Sequence, residues 1–375
     1  MDLCAVQTGS LACSSLMADL RIPWIRPELV RPSPYRWQER VPADAVGRFD
    51  LNTLPRDPAW WPAIAAEIAT QSASSYPEAD YAELKEAIAG YVGLTPAHVV
   101  PTAGGDEAIL LTSWIALTRG DRAVVPRPTY QLHATGAAMT GAVVDVVPPL
   151  TAADLRFDFA AIVRKAADAR LVWLCSPNNP TGEDVPADVV RAICAACPGL
   201  VAVDQAYLEF GDAADHLPLL GECPNLVIIR TFSKGWGLGA LRAGYALANP
   251  DVAGALDALR PPGSLSTGSA LGAELACRHV DEMRRDAEAY RLERIRLGEG
   301  LRAIGLDVVG EAGNFVLART PWEGDRAFDE LCTRGLVVRT FGHDPLLSGC
   351  IRACVSVPDE NDLLVAALAD MLAGA

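Results

Sequence analysis

Apolar positions recur along this chain with two different periods, and the architecture changes where the period does. Between Pro58 and Gln71 the apolar residues fall at 60, 61, 64, 65 and 68. That spacing predicts a helix, which Pro58 can begin because a first-turn N–H has no intrahelical partner to lose. A second helix is predicted from Tyr81 to Tyr91, ended by Gly90 and Gly93. Short runs that are apolar on both parities follow: Ala123–Val125, Val143–Val147, Leu171–Leu174, Val201–Val203, Leu226–Ile229 and Gly244–Leu247. Helical patterns such as Ala108–Leu117 and Pro186–Cys197 flank them. Strands of this kind are covered on both faces, so the pattern predicts an α/β fold with a mostly parallel sheet between helices.

After Leu265 the rhythm changes. Ser269 to Leu301 reads as one long helix, rich in Glu and Arg. Asn314–Leu317, Leu336–Val338 and Ile351–Val355 read as strands of a smaller sheet, with helices over Asp325–Arg334 and Glu360–Met371. The first fifty residues hold five prolines and no sustained period. Three parts are therefore expected: an arm over 1–50 that lies on the small domain or a partner subunit, a large domain over 51–255, and a small α+β domain over 256–375.

Composition narrows the function. Of 375 residues, 50% are hydrophobic and 21% charged, and the formal net charge is −15. So apolar a chain is not disordered. The acidic balance disfavours nucleic acid and anionic membrane as partners, while leaving room for an anionic small molecule in a local pocket. The first twenty residues carry Asp2 and Asp19 and no Lys or Arg, the wrong sign for a signal peptide. The longest uncharged run, Ala87 to Gly105, is broken by two prolines and four glycines and is no membrane helix. Ten scattered cysteines then read as reduced thiols of a cytoplasmic protein. Cys194 and Cys197 form a lone CxxC without a second pair or a histidine cluster, so they are read as small core residues and no metal is expected.

Ligands of open α/β sheets bind beyond the carboxyl ends of the strands. Three polar segments are delivered there: Cys175-Ser-Pro-Asn-Asn-Pro-Thr-Gly182, Asp204-Gln-Ala-Tyr207, and Arg230-Thr-Phe-Ser-Lys-Gly-Trp-Gly-Leu-Gly-Ala-Leu-Arg242. Gly235 to Ala240 also satisfies G-x-G-x-x-A, the dinucleotide fingerprint of a dehydrogenase, although it comes after five candidate strands and behind a Ser-Lys pair.

In this order and spacing the three segments resemble those of the class I/II aminotransferases, fold-type-I enzymes that use pyridoxal 5'-phosphate, and within them the histidinol-phosphate aminotransferase branch. The resemblance runs from about Leu51 to the C-terminus. It implies a seven-stranded, mostly parallel sheet in the large domain and a site residue at each matching position. Lys234 is then the lysine that holds the cofactor as a Schiff base and shuttles the Cα proton. Asp204 keeps the pyridine nitrogen protonated, its bland alternative being a helix N-cap. Asn179 and Tyr207 bind the ring phenolate, and Asn178 shapes the turn. Tyr130 stacks on the ring, or is a half-buried helix tyrosine. Backbone amides of Gly105 and Asp106, ahead of the helix at Ala108, take the phosphate together with Thr231, Ser233 and Arg242; the alternative for Asp106 is an N-cap.

Tyr76 matches a residue that reaches the phosphate of the neighbouring subunit, which implies a homodimer with shared active sites. Arg352 matches the arginine that takes the substrate carboxylate, with Asn179 beside it, and Arg339 one near the distal end of the substrate; both read otherwise as exposed charges. The activity implied is transfer of an amino group between an L-amino acid, or an amino-alcohol phosphate such as histidinol phosphate, and a 2-oxo acid. Decarboxylation, or elimination with ring closure, on the same fold is the alternative. A cofactor-binding regulator would need a DNA-binding module that the first fifty residues do not resemble. The sequence departs from the family in three places: Asn52-Thr-Leu-Pro stands where Asn-Glu-Asn-Pro is usual, Gln205 where a glutamate is usual, and the arm before Leu51 is prolonged and proline-rich.

Overall fold

The computed structural model describes residues 26, 41–42, 45–322, 326–342 and 344–374. Seven strands build the large sheet: β2 (Val99–Thr102), β3 (Arg122–Pro126), β4 (Val143–Val147), β5 (Leu171–Cys175), β6 (Leu200–Asp204), β7 (Leu226–Thr231) and β8 (Gly244–Ala248), in the order β2-β8-β7-β6-β5-β3-β4. All neighbours run parallel except β8, which is antiparallel to β7 and β2. Every residue of β5 and β7 is buried. Their alternating side chains divide between two cores. Val172, Leu174 and Ile228 join the cluster that holds Ile88 and Trp236. Leu171, Trp173, Val227 and Ile229 join the one under Gly104–Ala116. That division explains why the runs were apolar on both parities.

The small sheet has five strands, β1 (Gly47–Phe49), β9 (Asp307–Ala312), β10 (Phe315–Arg319), β11 (Leu336–Thr340) and β12 (Cys350–Cys354), ordered β1-β11-β12-β10-β9. Helices Arg326–Cys332 and Pro358–Ala373 belong to it. No helix among the described residues is long and apolar enough to cross a membrane.

Four expectations need correction. Most of the arm lies outside the described residues, as does the expected helix start at Asp325, but residues 47–49 are a strand that pairs in parallel with β11, Gly47 opposite Leu336 and Phe49 opposite Val338. The five-stranded sheet thus takes an edge strand from the end of the expected arm. The first helix runs over Trp61–Ala69, with Pro62 rather than Pro58 in its first turn. The long helix is two, Thr267–Ala276 and Val280–Ala303, joined by a tighter turn over Cys277–His279. At that bend the His279 ring stacks on Trp60 with centroids 5.2 Å apart, a tertiary contact that periodicity cannot register. Finally, β2 and β9 were missed; β2 contains Pro101 and β9 contains Gly310, residues that blur a strand pattern.

Candidate active site

The carboxyl ends of β5, β6 and β7 converge as parallel strands must, with Cys175 opposite Asp204 and Asp204 opposite Ile229. Asp204 is 5% exposed. One carboxylate oxygen accepts the Ala206 N–H at 3.1 Å, and the other lies 3.1 Å from Nε2 of His133. No helix starts at Asp204, so the capping alternative for it falls. Three residues on, the buried Tyr207 hydroxyl accepts from Asn52 Nδ2 at 2.9 Å and from Asn179 Nδ2 at 3.4 Å. Burial raises its phenol well above the ordinary tyrosine value, and Arg352 opposes that shift. Lys234 follows β7 and is half-buried. Its ammonium donates to the carbonyls of Leu51 and Asn52 at 3.3 and 3.2 Å. Burial pushes its amine down to about 8, with repulsion from Arg352 acting the same way.

A second cluster forms where β2 and β7 end. The helix expected from Ala108 begins at Gly104, so Gly105 and Asp106 lie in its first turn. Those amides have no intrahelical acceptor, and no side chain caps them; Asp106 is not an N-cap. Gly104 has φ +78, and a Cβ there would come 2.7 Å from Arg242 Nη2. Only glycine leaves this space open. Arg242 donates to Ser233 Oγ at 3.4 Å and to Asp106 at 3.1 Å, and Thr231 donates to Ser233 at 3.0 Å. The Tyr130 hydroxyl donates to Asp106 at 3.0 Å. Asn178 holds the turn after β5, binding the Pro128 carbonyl and Thr181.

The small domain contributes two arginines. Arg352 of β12 and Arg339 of β11 stand directly opposite in register, 5% and 9% exposed, so neither is a solvated surface charge. Arg352 donates to Asn179 Oδ1 at 2.8 Å and to the Asp50 carbonyl at 2.7 Å, while its buried Nε meets no acceptor among the described residues. Tyr76 is not brought into this group; it is 96% exposed.

Sequence reading missed two residues here. His133 is fully buried and its ring stacks on Trp173 at 4.8 Å. It lies one helical turn after Tyr130, and that spacing was the available signal. Asn52 carried no signal beyond its place in a divergent segment. Gln205 forms a neutral bridge, its amide nitrogen 3.0 Å from His216 Nδ1 and its oxygen accepting from Arg230 at 3.2 Å. The dinucleotide alternative fails on geometry, since Gly235–Ala240 leads into the short turn Gly239–Leu241 and then β8, not into a helix.

The donors present fit pyridoxal phosphate. Free first-turn amides, two hydroxyls and Arg242 around the open Gly104 suit a phosphate. A buried carboxylate suits a pyridinium N–H, the Tyr207 and Asn179 donors suit a phenolic oxygen, and a lysine with a lowered pKa suits an aldehyde.

The family model for aminotransferase class I and II matches residues 45–368. A histidinol-phosphate aminotransferase from Desulfitobacterium hafniense is 33% identical over 93% of this chain and 97% of that protein. The crystal structure of histidinol-phosphate aminotransferase from Sinorhizobium meliloti in complex with pyridoxal-5'-phosphate superposes with a TM-score of 0.79, at 29% identity, over 88% of this chain and 91% of that one. L-threonine-O-3-phosphate decarboxylase from Porphyromonas gingivalis, with a TM-score of 0.76 over 87% of this chain and 99% of that one, is 19% identical and shares the fold. The chain belongs to the class I and II aminotransferases and is a pyridoxal-phosphate-dependent aminotransferase.

Proposed function

We propose that this chain moves the amino group of histidinol phosphate, or of a donor with a comparable second anion, to a 2-oxo acid, and that it works as a homodimer. One observation carries the substrate reading: Arg339 and Arg352 lie buried side by side on adjacent strands. The buried Arg352 Nε, without an acceptor among the described residues, suits a carboxylate, and Arg339 beside it sets a second cation where a phosphorylated amino donor or a dicarboxylate can place its second anion. The histidinol-phosphate relatives favour the first.

Bound pyridoxal phosphate supplies an aldehyde that captures an amine and a ring that accepts electrons from the substrate Cα. The chain does the rest. Thr231, Ser233, Arg242 and the amides of Gly105 and Asp106 hold the phosphate, and Tyr130 covers the ring. Asp204, fixed by His133 and the Ala206 amide, keeps a proton on the ring nitrogen. Tyr207 and Asn179 donate to the phenolic oxygen. Lys234, neutral above about pH 8, would take the proton from the donor Cα and hand it to the carbon that was the cofactor's aldehyde, so that the nitrogen stays with the cofactor when the oxo acid leaves. Arg352 orients the donor, with Arg339 at its far end. Tyr76, standing free of its own site, reaches the phosphate of the neighbouring subunit.

The test compares histidinol phosphate with histidinol as donor, with 2-oxoglutarate as acceptor. The phosphorylated donor should have the higher kcat/KM by at least about a hundredfold, and Arg339→Gln should erase most of that preference. Equal turnover of the two donors refutes the substrate reading.

A further inference from the structure

We infer that Asn52 is a positioning residue that aims the Tyr207 hydroxyl proton at the cofactor's phenolic oxygen and fixes the resting place of Lys234. The inference rests on the cofactor reading above and adds a residue that reading does not contain.

A tyrosine hydroxyl has one proton to give and two lone pairs to accept with. At Tyr207 both acceptor positions face amide donors, Asn52 at 2.9 Å and Asn179 at 3.4 Å. The proton is therefore left for a third group. The charged residues around the phenol do not take it: Lys234 Nζ lies 5.7 Å from the ring centroid, and Arg352 and Asp204 make their hydrogen bonds elsewhere. Asn179 is itself oriented, since its oxygen accepts from Arg352 at 2.8 Å, which turns its amide nitrogen toward Tyr207. Asn52 is 1% exposed, so its amide cannot be replaced by bulk water.

The backbone of Asn52 does the second task. Its φ is +52, a left-handed conformation that asparagine tolerates better than most residues. The Asn52 carbonyl accepts from Lys234 Nζ at 3.2 Å, next to that of Leu51 at 3.3 Å. One residue thus touches both the phenol and the amine, the first through its side chain and the second through its main chain.

Asn52→Gly separates these tasks, because glycine accepts φ +52 and keeps the carbonyl while losing the amide. The readouts are the dissociation constant for added pyridoxal phosphate and the pH midpoint of the bound cofactor's visible band. Asn52→Gly should raise that midpoint by about one unit, the value of one hydrogen bond to the ionised form. Tyr207→Phe should raise it further, and the double variant should match Tyr207→Phe alone. Asn52→Asp places an acceptor where the donor was, turns the Tyr207 proton toward the new carboxylate, and should raise the midpoint at least as far as Tyr207→Phe. An unchanged midpoint in both Asn52 variants, or additive shifts in the double variant, overturns the assignment. A wild-type protein that neither binds pyridoxal phosphate nor develops a visible band overturns the cofactor reading instead.

Discussion

The proposed phosphate end and the proposed substrate end of the site are built differently. At the phosphate end, Gly104 and Gly105 open the helix after β2, Thr231 ends β7, and Ser233 and Arg242 lie in the connection from β7 to β8, each within a few residues of a strand end. At the substrate end, Arg352 and Arg339 come from the small sheet, Asn179 from the loop after β5, and Asp50 to Asn52 from the segment that links the sheets. The first is built around the ends of one sheet; the second is assembled from three separate segments of the chain. Loss of Gly104 or Arg242 should register in cofactor affinity, and loss of Arg352 or Arg339 in substrate affinity.

Lys234→Ala should give the largest effect. Turnover should fall by at least about ten-thousandfold and the visible band should vanish; a variant that keeps either contradicts the site. Asp204→Ala should slow turnover by about a thousandfold and weaken cofactor binding, because a buried electrostatic partner of the reacting ring is lost; stopped-flow traces of proton abstraction measure this. Arg352→Lys should raise KM for the donor by about ten- to a hundredfold and leave cofactor affinity alone, since lysine cannot reproduce the two-pronged contact. If cofactor affinity moves as much as KM, the two ends are not separate. Gly104→Ala is the mirror test: a Cβ at φ +78 that meets Arg242 should weaken cofactor binding by about tenfold, with donor KM at saturating cofactor unchanged.

The smallest effect is a pH dependence. Because burial brings the Lys234 amine down to about 8, and only the neutral amine attacks an aldehyde, the rate at which cofactor-free protein captures pyridoxal phosphate should rise with pH and level off above about 8. A midpoint near 10, the ordinary lysine range, would show that burial does not act on this amine.

The same contrast explains what the sequence disclosed. Asp204 ends β6, Asn179 and Lys234 follow shortly after β5 and β7, and Arg242 stands just before β8, each inside a dense local pattern that a linear reading reaches. The alternation of core residues along β5 and β7 likewise needed no long-range information. Asn52, opposite Tyr207 across 155 positions, is set by how two sheets pack, and nothing near it in the chain encodes that. His133 is intermediate, one turn from a residue already singled out yet without meaning until β6 brings Asp204 beneath it. The break at Cys277–His279 and the pairing of β1 with β11 belong to the same class, since each is decided by a partner far along the chain.

The link from β1 through Asp50 to Leu54 has a mechanical consequence. It leaves the small sheet as the partner of β11, passes its carbonyls to Arg352 and Lys234, gives its Asn52 amide to Tyr207, and sets Leu54 against Gly237. Any tilt of the five-stranded body pulls on this tether. A tug on it would reach Arg352, Lys234 and Tyr207 together, which would make loosening of the cleft and disarming of its proposed chemistry a single event.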